Sequence, residues 1–184
     1  MVEIRSPRQK RLDDARHSAI HEALVKGITN DGELTIIANK AELEFTNKLG
    51  RESEERFDEY IGKLDIVKNV FNPFGIEDML LGIDRWIKFD DSLNLPILPV
   101  QIKSSNENVK TFIHGDPKKG IGANPAFITF GGFILVINTG ESVDFDDFQY
   151  HLFKEVERVN RMLDRRQDFR EKLINKDSNS FKIR

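Results

Sequence analysis

The chain has 184 residues, 39% hydrophobic and 32% charged, so it suffices for one packed domain and is too apolar for wholesale disorder. It contains no cysteine, which excludes disulfides, thiolate metal sites and cysteine nucleophiles. A net charge of −3 excludes nucleic-acid binding by bulk attraction, and no apolar run approaches the roughly 18 residues of a membrane span.

The opening MVEIRSPRQKR lacks the apolar stretch of a secretory signal, so a soluble cytoplasmic protein is the expectation. From about Ser6 to Lys26, Leu12, Ala15, Ile20, Ala23 and Leu24 recur at helical spacing, and Gly27 is a plausible stop. His17 and His21, four apart on this helix, read as exposed side chains, since no further ligand is near in sequence. TNDGEL reads as a turn, and LTIIA as a short strand or the entry to a helix, with helical spacing resuming at KAELEFTNKLG.

The next segment, GRESEERFDEYIGKL, predicts a helix with Phe57, Tyr60, Ile61 and Leu64 on one face. One turn earlier that face carries Ser53 and Glu54, whereas Glu55 and Glu59 point away from it. DIVKNVF then reads as a strand, NPFG as a turn, and GIDRWIKF and PILPVQIKS as two strands joined by DDSLNLP. Side chains alternate along a strand, so Gln101 and Lys103 share one face while Val100 and Ile102 take the other. An antiparallel register centred near Leu93 sets Asp84 beside Gln101 or Lys103 on that polar face. A slip of one residue would turn the apolar residues outward. Trp86 shares the face with Asp84 and is expected to pack beneath a helix.

Residues 106 to 125 are polar and hold Pro117 and Pro125, and read mainly as loop. Within them, HGDPKKGIG is not a Walker A loop, because Gly120 is followed by Ile121 instead of Lys-Ser/Thr. Two readings stand for NPAFITFGGFILVIN. In one, Asn124 caps a short helix that begins at Pro125 and stops at Gly131 or Gly132, before a buried strand FILVI. In the other, Gly131-Gly132 is a hairpin turn between two strands. From Asp144 the pattern is helical, with Phe148, Leu152, Val156, Val159 and Leu163 in one stripe that either completes the core or forms a homodimer. The helix is expected to extend toward Leu173 within a span of 144–175, with KDSNSFKIR frayed at the end. From Lys154 to Arg184 there are ten Lys/Arg against six Asp/Glu, and RSPRQKR is a second basic cluster. Each reads as a solvated helix face, and NRMLDRRQDFREK would track phosphates only if pairing of two copies placed it near a cleft.

The trio Asp84, Gln101 and Lys103 needs a chemical reason. A carboxylate, a side-chain amide and the Ile102 carbonyl between the other two offer hard oxygen ligands to Mg²⁺, and an adjacent lysine can orient a water or stabilise developing negative charge. A helix acid followed by a strand, then Asp84 at the start of the next strand and QIK on the following one, resembles the PD-(D/E)XK nuclease superfamily over roughly Gly50 to Asn138. The resemblance implies an α/β restriction-endonuclease-like core of αβββαβ order, a mixed sheet flanked by helices. It implies a single domain over 1–184, with the core at 50–140 and a helical extension at 1–49. It also implies Mg²⁺-dependent hydrolysis of DNA, with Mn²⁺ able to substitute. Asp84 falls at the family's metal-binding Asp and Lys103 at its catalytic Lys. In LGRESEERF, Glu54 falls at its helix acid, four residues after Gly50. Gln101 stands where the family usually has Glu or Asp, which keeps an oxygen ligand and removes one negative charge. The metal set implied is Glu54, Asp84, Gln101 and Ile102. The competing expectation is a nuclease-fold module that binds nucleic acid or protein without cutting.

Overall fold

The computed structural model describes residues 7–75 and 81–165. The chain divides into two compact units, Met1–Glu52 and Ser53–Arg184. The reach of the last helix toward Leu173, the frayed KDSNSFKIR end and the basic segment from residue 166 onward lie outside the described residues.

In the first unit, α1 (Pro7–Val25) ends at Gly27, whose φ of +83° only glycine adopts readily. Asn30 then caps α2 (Asp31–Ile61), its Oδ1 accepting from the N–H groups of Gly32 and Glu33. Arg16 pairs with Glu42 at 3.1 Å to tie α1 to α2. His17 and His21 are exposed. LTIIA belongs to the helix: α2 runs unbroken through it and through Gly50, because good helix formers on both sides outweigh the roughly 1 kcal/mol cost of a single glycine.

The second unit holds a four-stranded sheet in the order β1 (Val67–Phe71), β2 (Arg85–Phe89), β3 (Leu98–Lys103), β4 (Leu135–Asn138). The first two pairings are antiparallel and the last is parallel, so the sheet is mixed. Between β2 and β3, Asp90 caps a 3₁₀ turn by accepting from the Ser92 N–H. Asn94 then takes the left-handed conformation that asparagine tolerates. Pro99 is accommodated in an interior strand because the parallel ladder to β4 begins one residue later, at Val100.

One sheet face carries the larger core. Ile87, Phe89, Leu98, Val100, Ile102, Leu135 and Ile137 pack against Phe57 and Ile61 of α2 and against α5 (Phe145–Arg165), which buries Phe148, Leu152, Val159 and Leu163. The α5 stripe is therefore spent within the chain, and a homodimer would need another face. The opposite face carries a smaller cluster of Phe112, Ala126, Ile134 and Val136.

That smaller cluster corrects the reading of 106 to 125 as loop. Asn106–His114 is a helix, α3, capped by Ser105 Oγ accepting from the Asn108 N–H. Gly115 ends it, where an added Cβ would clash with the Ile121 carbonyl oxygen. Asn106 and Asn108 in its first turn are poor helix formers, and burial of Phe112 outweighs them. The hairpin reading of Gly131-Gly132 is also overturned. Asn124 caps α4 (Pro125–Thr129) by accepting from the Ala126 N–H, and a turn through the two glycines leads into β4. The sheet edge at β4 is closed by α5: the Arg158 guanidinium donates to the Gly132 and Ile134 carbonyls, and Glu155 accepts from the Val136 N–H. No helix among the described residues is long and apolar enough to cross a membrane.

Candidate metal centre

The β2–β3 register pairs Arg85 with Val100, Trp86 with Pro99 and Ile87 with Leu98, and continuing it by one residue sets Asp84 opposite Gln101. The Asp84 N–H donates to the Val100 carbonyl at 2.9 Å, which holds the residue at the mouth of β2. Its Oδ2 accepts from the side-chain amide of Gln101 and, at 2.5 Å, from the Ile102 N–H. The Gln101 amide nitrogen also lies 3.5 Å from the Ile102 carbonyl. A carboxylate, an amide and a peptide carbonyl thus converge where two strands meet. Gln101 is buried, only 6% exposed.

Space for this amide depends on Gly82. A Cβ there would stand 3.1 Å from Gln101 Oε1, and the residue has φ +58°, so glycine serves both the turn and the close approach. Trp86, on the same strand face as Asp84, packs edge-on against Phe130 with ring centroids 6.3 Å apart.

Lys103 follows at the end of β3, paired with Asn138 of β4, and its ammonium lies 4.8 Å from the centroid of the Phe112 ring. Burial disfavours its charged form and lowers its pKa from the ordinary lysine value, while the Asp84 charge acts in the opposite direction. The ends of β3 and β4 are pinned. Thr139 N–H donates to the Lys103 carbonyl, and the Asn138 side chain bridges Asn106 and the Gly140 N–H.

Glu54 sits on α2, which covers the other sheet face, and its carboxylate accepts from Arg85 at 3.2 Å. The same guanidinium nitrogen donates to the Asp84 carbonyl at 2.7 Å, so Arg85 links the helix acid to the strand mouth. Asp58 completes the arrangement with two bonds to Arg85, at 3.0 and 2.7 Å. That pairing, ahead of the weaker pull of Glu54, holds the guanidinium more firmly protonated against the cost of burial. Arg85, Asp58 and Gly82 are the site residues that sequence reasoning missed. The signal was present in two acids one helical turn apart on α2 and a glycine two residues before Asp84.

No group of three histidine or acidic side chains able to hold a metal occurs among the described residues. The donor set at the strand mouth is of another kind: one carboxylate, one amide and one peptide carbonyl. All are hard oxygen donors once the Gln101 amide rotates to present Oε1, and they suit Mg²⁺ that keeps several of its waters. Comparison of the chain with protein-family models, with curated proteins and with solved structures finds no match.

Proposed function

We propose that the chain is a metal-dependent nuclease of PD-(D/E)XK type that hydrolyses DNA phosphodiester bonds on a restriction-endonuclease-like core. The observation that carries this reading is the hydrogen-bonded convergence of Asp84, Gln101 and Ile102, with Lys103 next on the same strand. The element order, a helix, three strands, helices and a fourth strand pairing in parallel, supports it.

In this reading Asp84, Gln101 and the Ile102 carbonyl would hold Mg²⁺, or Mn²⁺ in its place, and Glu54, engaged by Arg85 from the other sheet face, would contribute through water. Bound Mg²⁺ would neutralise the phosphate charge and lower the pKa of a coordinated water. Lys103 acts from its half-buried position, where a hydrogen bond to the attacking water or to the developing negative charge is worth more than in solvent. Arg85 holds the Asp84 backbone in place and keeps Glu54 beside it. Lys118 and Lys119, in the loop after α3, are exposed; Lys118 would meet the phosphate backbone directly, and Lys119 by exchanging its 3.4 Å ion pair with Asp116.

A second reading has its own support. The Gln101 amide already satisfies Asp84 as a neutral donor, an arrangement that needs no cation and suits a non-cutting module for nucleic acid or protein. Cleavage of plasmid, branched and single-stranded DNA in Mg²⁺ and Mn²⁺ separates the two. The nuclease reading expects metal-dependent cutting that falls at least 100-fold in Lys103→Ala, as for loss of a transition-state donor. No cutting by the wild-type chain, with no Mn²⁺ binding by calorimetry, would leave the binding module.

A further inference from the structure

Lys103 also borders a cavity of about 320 Å³, open to solvent, between the end of β3, helix α3 and the segment leading into α4. We propose that this cavity receives one unpaired nucleotide of the substrate strand, its base inside and its phosphate toward Lys103. The proposal rests on the nuclease reading and names its substrate class: DNA that is single-stranded, or that has a base extruded at the site of cutting.

The size fits one small ligand, at the lower end of the roughly 300–1,000 Å³ of such sites. The wall chemistry narrows the ligand. Lys103 is the sole charged residue of the lining; Asn108, Thr111 and Asn124 are neutral and polar; Ile121 and Pro125 are apolar. A simple anion would favour more positive charge, and an apolar ligand would leave the amides unpaired.

The polar groups are sorted by what the protein already uses. Asn124 spends its oxygen on the Ala126 N–H, which leaves its amide as a donor. Asn108 spends its amide on Ser104 Oγ, which leaves its oxygen as an acceptor. Thr35 and Thr46 bond back to carbonyls four residues earlier, whereas Thr111 makes no such bond among the described residues. Donor, acceptor and hydroxyl set between apolar walls match the polar edge and flat faces of a base.

The wall is also built to hold its shape. Asp116 and Ile121 exchange backbone hydrogen bonds at 2.7 and 3.0 Å, and the Asn124 N–H donates to the Phe112 carbonyl at 2.9 Å. A base still paired in a duplex cannot enter a one-residue cavity, so the strand must arrive single or with that base turned out.

The test uses the full chain in EDTA, where cutting plays no part. Deoxynucleoside 5′-monophosphates and, separately, inorganic phosphate are titrated while backbone amide shifts are followed by NMR. The expected result is saturable movement of the Asn108, Thr111 and Gly122 amides with at least one nucleotide, at concentrations tenfold or more below those phosphate requires. Gly122 lines the cavity, and an added Cβ there meets nothing within 4 Å, so Gly122→Leu adds bulk at the cavity wall without a clash. It should weaken nucleotide binding at least tenfold, as should Thr111→Ile. Equal response to phosphate and nucleotides, no saturable shift, or affinity unchanged in both variants would overturn the proposal. A chain that cuts DNA yet fails this titration keeps the nuclease reading and loses the cavity. One that binds nucleotide yet cuts nothing does the reverse.

Discussion

Gln101 and Lys103 show how much a single strand's alternation settles. Both face the smaller core and alternate with the buried Val100 and Ile102, so the polar pair was legible from spacing alone. The hairpin register that sets Asp84 opposite Gln101 was legible too, because a one-residue slip would expose the apolar set. The engagement of Glu54 by Arg85 was not, since it depends on α2 lying across the sheet. Lys103 carries a pH signature. Its pKa is lower in the fold than in the unfolded chain, so above its folded pKa the unfolded state binds the additional proton. Stability contributed by this group therefore rises with pH from the lowered value up to the ordinary lysine range, and below that window the full cost of burying the charge remains. Urea unfolding in metal-free buffer across alkaline pH should show this rise, and Lys103→Met should flatten it. Asp84→Asn removes the charge that opposes the shift, so an NMR titration should find the Lys103 pKa lower still. A higher value would contradict the electrostatic account.

At the scale of elements, β4 shows how an edge is closed. Arg158 satisfies two carbonyls at the entrance to the strand, one of them that of the fully buried Ile134, and Glu155 satisfies the Val136 N–H. Arg158→Met keeps much of the volume and removes the donors. It should lower the unfolding free energy by about 1–3 kcal/mol, the cost of a buried acceptor left unpaired. Glu155→Gln keeps an acceptor for Val136 and should cost less; a larger loss in Glu155→Gln, by denaturant titration, would sink this assignment. The short helix α4 was readable from Asn124 and Pro125, since a cap and a first-turn proline are local signals. Helix α3 carries local signals too, the Ser105 cap, the Gly115 stop and Val109, Phe112 and Ile113 at helical spacing; the sequence does not show the far face of the sheet, made from distant segments, on which Phe112 is buried.

The whole molecule decides the fate of the α5 stripe. Phe148, Leu152, Val159 and Leu163 are fully buried within one chain, with Phe148 edge-on to Phe57 at 5.8 Å. Leu152→Ala should cost about 2–5 kcal/mol, as for a large-to-small change in a packed core. The same variant should sediment as the wild-type chain does; a change of oligomeric state would show that the stripe serves an interface. The amino-acid sequence by itself determined the periodic elements, the α5 stripe, the strand pair and the polar trio on it, because each follows from spacing within a few residues. Only the tertiary structure decided which sheet face each helix covers, that Arg85 stands between Glu54 and Asp84, where α3 buries Phe112, and that a cavity opens beside Lys103. Those features join residues tens of positions apart, and their energies come from burial and charge pairing that exist only once the sheet has closed.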